Sequence, residues 1–180
     1  VSVELVPGSA SLAQLEHIWR SGETGFLHSD ARKKIDTAAQ LVKQAVDGDK
    51  AVYGINTGFG KLASVKIPPE DTATLQRNLI LSHCCGVGEP LDIQTTRLMM
   101  VLKLLSLGRG ASGVRWEVIE HIQNMLRQDV TPVVPVQGSV GASGDLAPLA
   151  HMAAAMMGEG EAYYKGERMQ SVCKGATSAN

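Results

Sequence analysis

The run TTRLMMVLKLLSL, Thr95 to Leu107, is apolar nearly all round a helical wheel, with Lys103 as an interruption. A helix with one apolar stripe can lie on a surface, whereas a helix apolar on every side must be surrounded by other elements. This segment therefore predicts a helix buried inside a bundle, and it is the expected core. With 44% hydrophobic residues, the 180-residue chain can supply neighbours for it. Neither this run nor Met152 to Met157 is long enough, uninterrupted, to cross a bilayer.

The neighbours are legible as helical stripes. Ser11 to Gln14 has the S-x-x-Q form of a capping box, and Leu12, Leu15, Ile18 and Trp19 share one face until Gly22. Ser29 or Asp30 can cap a longer helix with Ile35, Ala38, Leu41, Val42, Ala45 and Val46 as its buried stripe. AVYGINTGFGKLASVKIPP has no helical period and reads as a long loop with a brief strand at its start. Pro68 and Pro69 open a helix whose last turn holds His83. Val114, Val118, Ile122, Met125 and Leu126 mark the next, followed by the extended, proline-limited VTPVVPV. Asp145 can cap a last helix, and EAYYKGERMQ reads as a hairpin turning at Lys165 and Gly166. The class is mainly α, a single domain with one weak two-stranded element.

Seventeen Lys and Arg against eighteen Asp and Glu leave a formal charge of -1, so no large field points to nucleic acid or to an anionic membrane. Cys84 and Cys85 are adjacent and Cys173 is far away, an odd count without a disulfide framework. His83 beside the two cysteines lacks a second ligand pair at metal-binding spacing, so no metal site is expected. The N-terminal VSVELVPGSA lacks the basic and long apolar segments of a secretory signal, and the expected setting is the cytoplasm.

VPVQGSVGASGDLAPLAH, Val134 to His151, sets glycines at Gly138, Gly141 and Gly144 in front of an apolar segment, and the letters GASG also occur at Gly110 to Gly113. Phosphate binding at a helix start is disfavoured, because neither G-x-G-x-x-G nor G-K-[ST] is present and Asp145 would repel the anion. A nucleophilic serine elbow needs glycine where Asp145 stands. Two readings remain. One is a tight turn with an N-cap, which glycine, serine and aspartate all favour. In the other the Gly144 nitrogen bonds to the Ala142 carbonyl carbon, and loss of water there and from the Ser143 hydroxyl leaves a ring bearing a methylidene electrophile. The first GASG stands before a helical stripe without upstream glycines at spacing three, and reads as a cap.

GSVGASGDLAPLAH resembles the signature of the aromatic amino acid ammonia-lyases, and YGINTGFGKLASV at Tyr53 to Val65 and QRNLILSHCCGVG at Gln76 to Gly88 join the resemblance, which extends to about Gln170. It implies the N-terminal helical part of an ammonia-lyase (fumarase/aspartase-like) fold, with a long catalytic loop and a small C-terminal hairpin. The tail at 171–180 departs from the family pattern. Ala142, Ser143 and Gly144 are implied to form the prosthetic group 4-methylideneimidazol-5-one (MIO), with Asp145 assisting and Gly60 leaving space. No metal and no diffusible cofactor are implied. Tyr53 is implied as the base that takes the β-proton, and His83 as the residue that meets the substrate's ring.

Within the family the wording is most similar to members acting on L-histidine, with trans-urocanate as product. Tyrosine or phenylalanine ammonia-lyase and 2,3-aminomutase chemistry remain alternatives, as does a non-catalytic helical assembly with an unmodified Ala-Ser-Gly turn. The family pattern further implies a homotetramer with sites assembled from several subunits, and hence little turnover from this stretch alone.

Overall fold

The computed structural model describes residues 2–48, 50–138, 144 and 146–171. Strand β1 (Ser2–Leu5) leads into α1 (Leu12–Ser21), which crosses over to β2 (Thr24–Leu27), paired in parallel with β1. The predicted capping box is half formed. Ser11 Oγ accepts the Gln14 N–H at 3.2 Å, but the Gln14 side-chain amide donates to Glu4 O at 3.1 Å and ties the helix to β1 instead.

Helix α2 (Ala31–Asp47) follows. Asp30 stands at its N-cap but makes no side-chain capping bond, and Ser29 contributes only its carbonyl, which accepts from the Arg32 N–H. Of the expected stripe only Ile35 is buried, with Ala31 one turn before it; Leu41 is 61% exposed. Only the first turns of α2 reach the core, and its later turns meet loops. The loop after α2 forms no strand at its start: it makes turns, a 3-10 turn at Gly60–Leu62 and an isolated Thr57–Lys66 bridge. Glycines and a buried asparagine organise this backbone locally, leaving no strand partner.

Helix α3 (Pro69–His83), β3 (Val87–Pro90) and α4 (Ile93–Leu107) come next. Asp92 caps α4 by accepting the Thr95 N–H and hydroxyl, each at 2.7 Å. These bonds, the backbone one foremost, hold the Asp92 carboxyl below its usual range. Helix α4 is the core element expected. Met100, Val101 and Leu104 are fully buried, against Leu5, Ile18 and Ile122 from neighbouring elements, although Leu102 stays 44% exposed.

Helix α5 (Trp116–Arg127) starts later than the first GASG predicts, with Arg115 at its N-cap. Ser112 is therefore not a cap. The glycines there serve a close approach: a Cβ on Gly113, whose φ is +67°, would lie 2.2 Å from Val42 Cγ2, and one on Gly110 would lie 2.6 Å from Lys34 Cβ. The loop lies directly on α2, and only hydrogen fits between them. The chain ends its described part with β4 (Val130–Pro132), β5 (Pro135–Gln137), α6 (Leu146–Met156), β6 (Glu161–Tyr164) and β7 (Glu167–Gln170).

The hairpin turns at Lys165 and Gly166, both at positive φ as expected, but it is not alone. Seven short strands form three small sheets among the described residues: β1–β2, β3–β5 and β4–β6–β7. Six helices nonetheless carry most of the regular structure, so the class is mainly α. No helix among the described residues is long and apolar enough to cross a membrane.

One buried cation joins these parts. Arg97 in α4 donates to Gly22 O at 3.3 Å, to Leu126 O at 3.1 Å and to Asp129 Oδ1 at 3.1 Å. Burial lowers its pKa from the ordinary arginine value, and the Asp129 charge opposes that shift. Replacing Arg97 with Ala leaves Gly22 O without its donor and Leu126 O with only weak backbone donors from the turn beyond α5, and is expected to cost about 2–4 kcal/mol in urea unfolding. Asp129→Asn, at a side chain 56% exposed, is expected to cost less than about 1 kcal/mol. In the same assay Gly113→Ala is expected to destabilise by about 1–3 kcal/mol, while Ser112→Ala changes little.

Candidate active site

Helices α3 and α6 pack side by side. Arg77 in α3 pairs with Glu159 just past the end of α6, and the Gly86 N–H just past α3 donates to His151 Nε2 in α6 at 3.1 Å. Moving forward along one helix is moving backward along the other, so the pair is antiparallel. The His83 end of α3 therefore lies toward the α6 start, which is where the second GASG enters.

His83 is half-buried at the last position of α3. Its Nδ1 lies 2.7 Å from Leu79 O. A carbonyl can only accept, so Nδ1 carries a proton, and the tautomer this bond selects presents Nε2 as an acceptor. Ser82 turns its hydroxyl to the same carbonyl at 2.9 Å. Cys84 donates its thiol to Ile80 O at 3.3 Å; burial, then the neighbouring Cys85, raises the Cys84 pKa. Cys85 is exposed, and both thiols are free.

The two ends of the glycine loop meet at one place. Strand β5 is held to β3 by the Val87–Gln137 and Pro90–Pro135 pairs and by the Leu91 N–H to Val134 O bond at 2.8 Å. Just after β5, Gly138 packs so closely on α6 that a Cβ there would sit 2.8 Å from Ala147 Cβ. Gly144 takes φ +97°, a conformation that L side chains rarely adopt. Ala142, Ser143 and Asp145 lie outside the described residues.

The loop with Tyr53 is built separately. Asn56, 2% exposed, is its hub: Oδ1 accepts the Val52 N–H at 2.7 Å, and Nδ2 donates to Ala45 O and Lys50 O, each at 3.0 Å. Lys66 Nζ donates to Gly48 O at 2.9 Å, so both arms of the loop are fastened to the α2 terminus. Tyr53 is 63% exposed and meets Phe59 edge-to-face at 5.8 Å. Gly60 sits at φ +59°, and a Cβ there would meet no atom within 4 Å. No hydrogen bond or ring contact among the described residues joins Tyr53 to His83. The structure thus sets the segment just after His83 against α6 and β5, the elements that flank the glycine loop, and holds Tyr53 and Gly60 on a different anchor.

Sequence reasoning missed Asn56, Gly86 and His151. His151 closes the GSVGASGDLAPLAH signature, but a histidine in an apolar helix announces no partner 65 residues away.

A family model for aromatic amino acid lyases matches residues 10–174. The chain belongs to the aromatic amino acid lyase family. It is 68% identical over 169 residues to the histidine ammonia-lyase of Roseobacter denitrificans, an alignment covering 94% of this chain and 33% of that protein. The chain therefore spans about a third of the length of the curated relatives it matches. Among solved structures, it resembles the ergothionase of Treponema denticola with TM-score 0.89 and 27% identity, over 95% of this chain and 34% of that one. It also resembles the histidine ammonia-lyase of Trypanosoma cruzi with TM-score 0.86 and 34% identity, over 95% of this chain and 34% of that one. These likenesses agree with the expected ammonia-lyase fold.

In this aromatic amino acid lyase chain, Asn56 supports the Tyr53 loop through three hydrogen bonds that no hydrophobic residue can replace. Asn56→Leu is expected to cost about 2–3 kcal/mol and to speed hydrogen exchange across residues 51–67, with α4 unchanged. Mass-resolved exchange at the peptide level measures both regions at once.

Proposed function

We propose that this chain is the N-terminal portion of a histidine ammonia-lyase, which eliminates ammonia from L-histidine to give trans-urocanate without redox change. The observation that carries this reading is the 68% identity to a histidine ammonia-lyase over nearly the whole chain. His83 gives it a chemical basis. An imidazole with its proton on Nδ1 offers Nε2 to an N–H donor, and the substrate's own imidazole supplies one. A phenyl ring has no such donor and would leave that acceptor unsatisfied.

The prosthetic group in this reading is MIO, with Ala142, Ser143 and Gly144 as its source and Asp145 and Gly60 as its supports. Gly144 at φ +97° fits a segment that must close on itself without a Cβ in the way. When formed, the group supplies an electrophile that turns the α-amine into a better leaving group.

The chain's own residues do the rest. His83 orients the ring, and the β5–α6 junction at Gly138 and Ala147 fixes where the glycine loop leaves and returns. Tyr53 takes the β-proton through its phenolic oxygen. The exposure of Tyr53 and its separate anchoring on α2 support a site completed by other parts of a homotetramer, so that residues 1–180 alone turn over little or nothing. A cytoplasmic setting belongs to the same reading and is supported by the free thiols of Cys84 and Cys85.

The full-length enzyme is expected to release trans-urocanate from L-histidine and to have an intact mass lower than its sequence by two waters, a deficit absent from Ser143→Ala. Tyr53→Phe is expected to lower kcat by about 10²–10⁴-fold. His83→Leu should move preference from L-histidine toward L-phenylalanine. A β-amino acid product would assign a 2,3-aminomutase instead, and a full-length mass without the deficit would leave Ala-Ser-Gly as an ordinary turn.

A further inference from the structure

The junction between α3 and α6 contains a hydrogen bond that the reading above does not use. Only three residues separate the end of α3 at His83 from β3 at Val87, and the last of them is Gly86. Its N–H donates to His151 Nε2 at 3.1 Å. The approach is close on two sides: a Cβ on Gly86 would lie 2.9 Å from His151 Nε2 and 3.2 Å from Pro135 Cβ. Gly86 is thus held between α6 and β5, the two elements that bracket the glycine loop.

We infer that His151 is a positioning residue for substrate recognition, fixing the His83 end of α3 relative to the start of α6 by accepting the Gly86 N–H. The inference rests on the histidine ammonia-lyase reading for its substrate, and on the bond itself for its mechanics. An Nε2 that accepts from a backbone N–H must be unprotonated, so a neutral His151 carries its proton on Nδ1. Burial lowers the His151 pKa from the ordinary histidine value, which favours that neutral form. His151 lies five residues into α6 from Leu146, about 7–8 Å along the axis at about 1.5 Å per residue. The tie therefore acts within two helical turns of the point where the glycine loop returns.

A group that only orients a ring-binding residue affects ground state and transition state alike, so its loss appears mainly in KM. In the full-length enzyme, His151→Leu is expected to raise KM for L-histidine by about 10-fold and to change kcat by less than about threefold. His151→Gln places an amide oxygen near the position of Nε2 and is expected to restore KM to within about threefold of the parent. Amide exchange at residues 84–88 should accelerate in the Leu variant and remain slow in the Gln variant.

A His151→Leu enzyme with unchanged KM would overturn the inference, as would a Gln variant as impaired as the Leu variant. If His151→Leu does not fold, Gly86→Ala tests the same junction by pushing it apart, with the same rise in KM expected and an unchanged KM counting against it. Should the parent enzyme fail to convert L-histidine, the functional reading falls on its own. The exchange rates at 84–88 still decide then whether His151 holds this segment.

Discussion

A guanidinium inside a helical bundle must be surrounded by acceptors, and Arg97 draws its own from the ends of two helices. Gly22 O closes α1, Leu126 O belongs to the last turn of α5, and Asp129 follows in the turn beyond. Because α4 is the buried axis of the fold, this places both helix ends relative to the core. The effect extends along the chain: where α5 ends sets where β4 begins, and β4 leads through Val133 and Val134 to β5 and Gly138. The path into the glycine loop is fixed from the interior outward. A buried cation of this kind contributes little net stability beyond an apolar replacement, but leaving its acceptors without donors is costly. Its contribution is to make one arrangement of helix ends better than the alternatives.

On that base the molecule divides its chemistry between two supports. Antiparallel α3 and α6 carry His83 and the return of the glycine loop, and β5, paired with β3, carries its departure. The terminus of α2 holds Tyr53 and Gly60 through Asn56 and Lys66. Elimination of ammonia from an amino acid needs ring recognition, an electrophile for the amine and a base for the β-proton to converge on one substrate. In the proposed reading, that convergence is completed by other chains of the assembly.

Much of this was legible wherever a local rule coincided with the tertiary environment. Ser11 announced α1, the apolar Thr95–Leu107 run announced the core, and Lys165-Gly166 announced the hairpin turn. Strands of three or four residues, such as β3 and β5, are too short to display alternation, and their pairing is decided by distant partners. The α2 stripe was misread at Leu41 because periodicity records which face is apolar and not whether anything covers it. The first GASG was misread because the approach of Gly113 to Val42 is a fact of packing that no local spacing reveals. The polar residues that organise the site, Asn56, Arg97 and His151, share one property: each finds an important partner outside its own element. Arg97 reaches partners 29, 32 and 75 residues away. Single polar letters in a sequence do not carry that information.

Asn56 donates to Ala45 O near the end of α2 and to Lys50 O at the start of the next segment, while its own oxygen holds Val52. The Ala45 bond belongs to both, so fraying of that helix end and opening of the tyrosine-bearing loop form one linked equilibrium. Reciprocity then applies: whatever orders the loop tightens the last turn of α2, and whatever loosens that turn weakens binding at the loop by the same free energy. A substitution on the outer face of α2, distant from any reacting atom, can in this way alter how readily the tyrosine is presented.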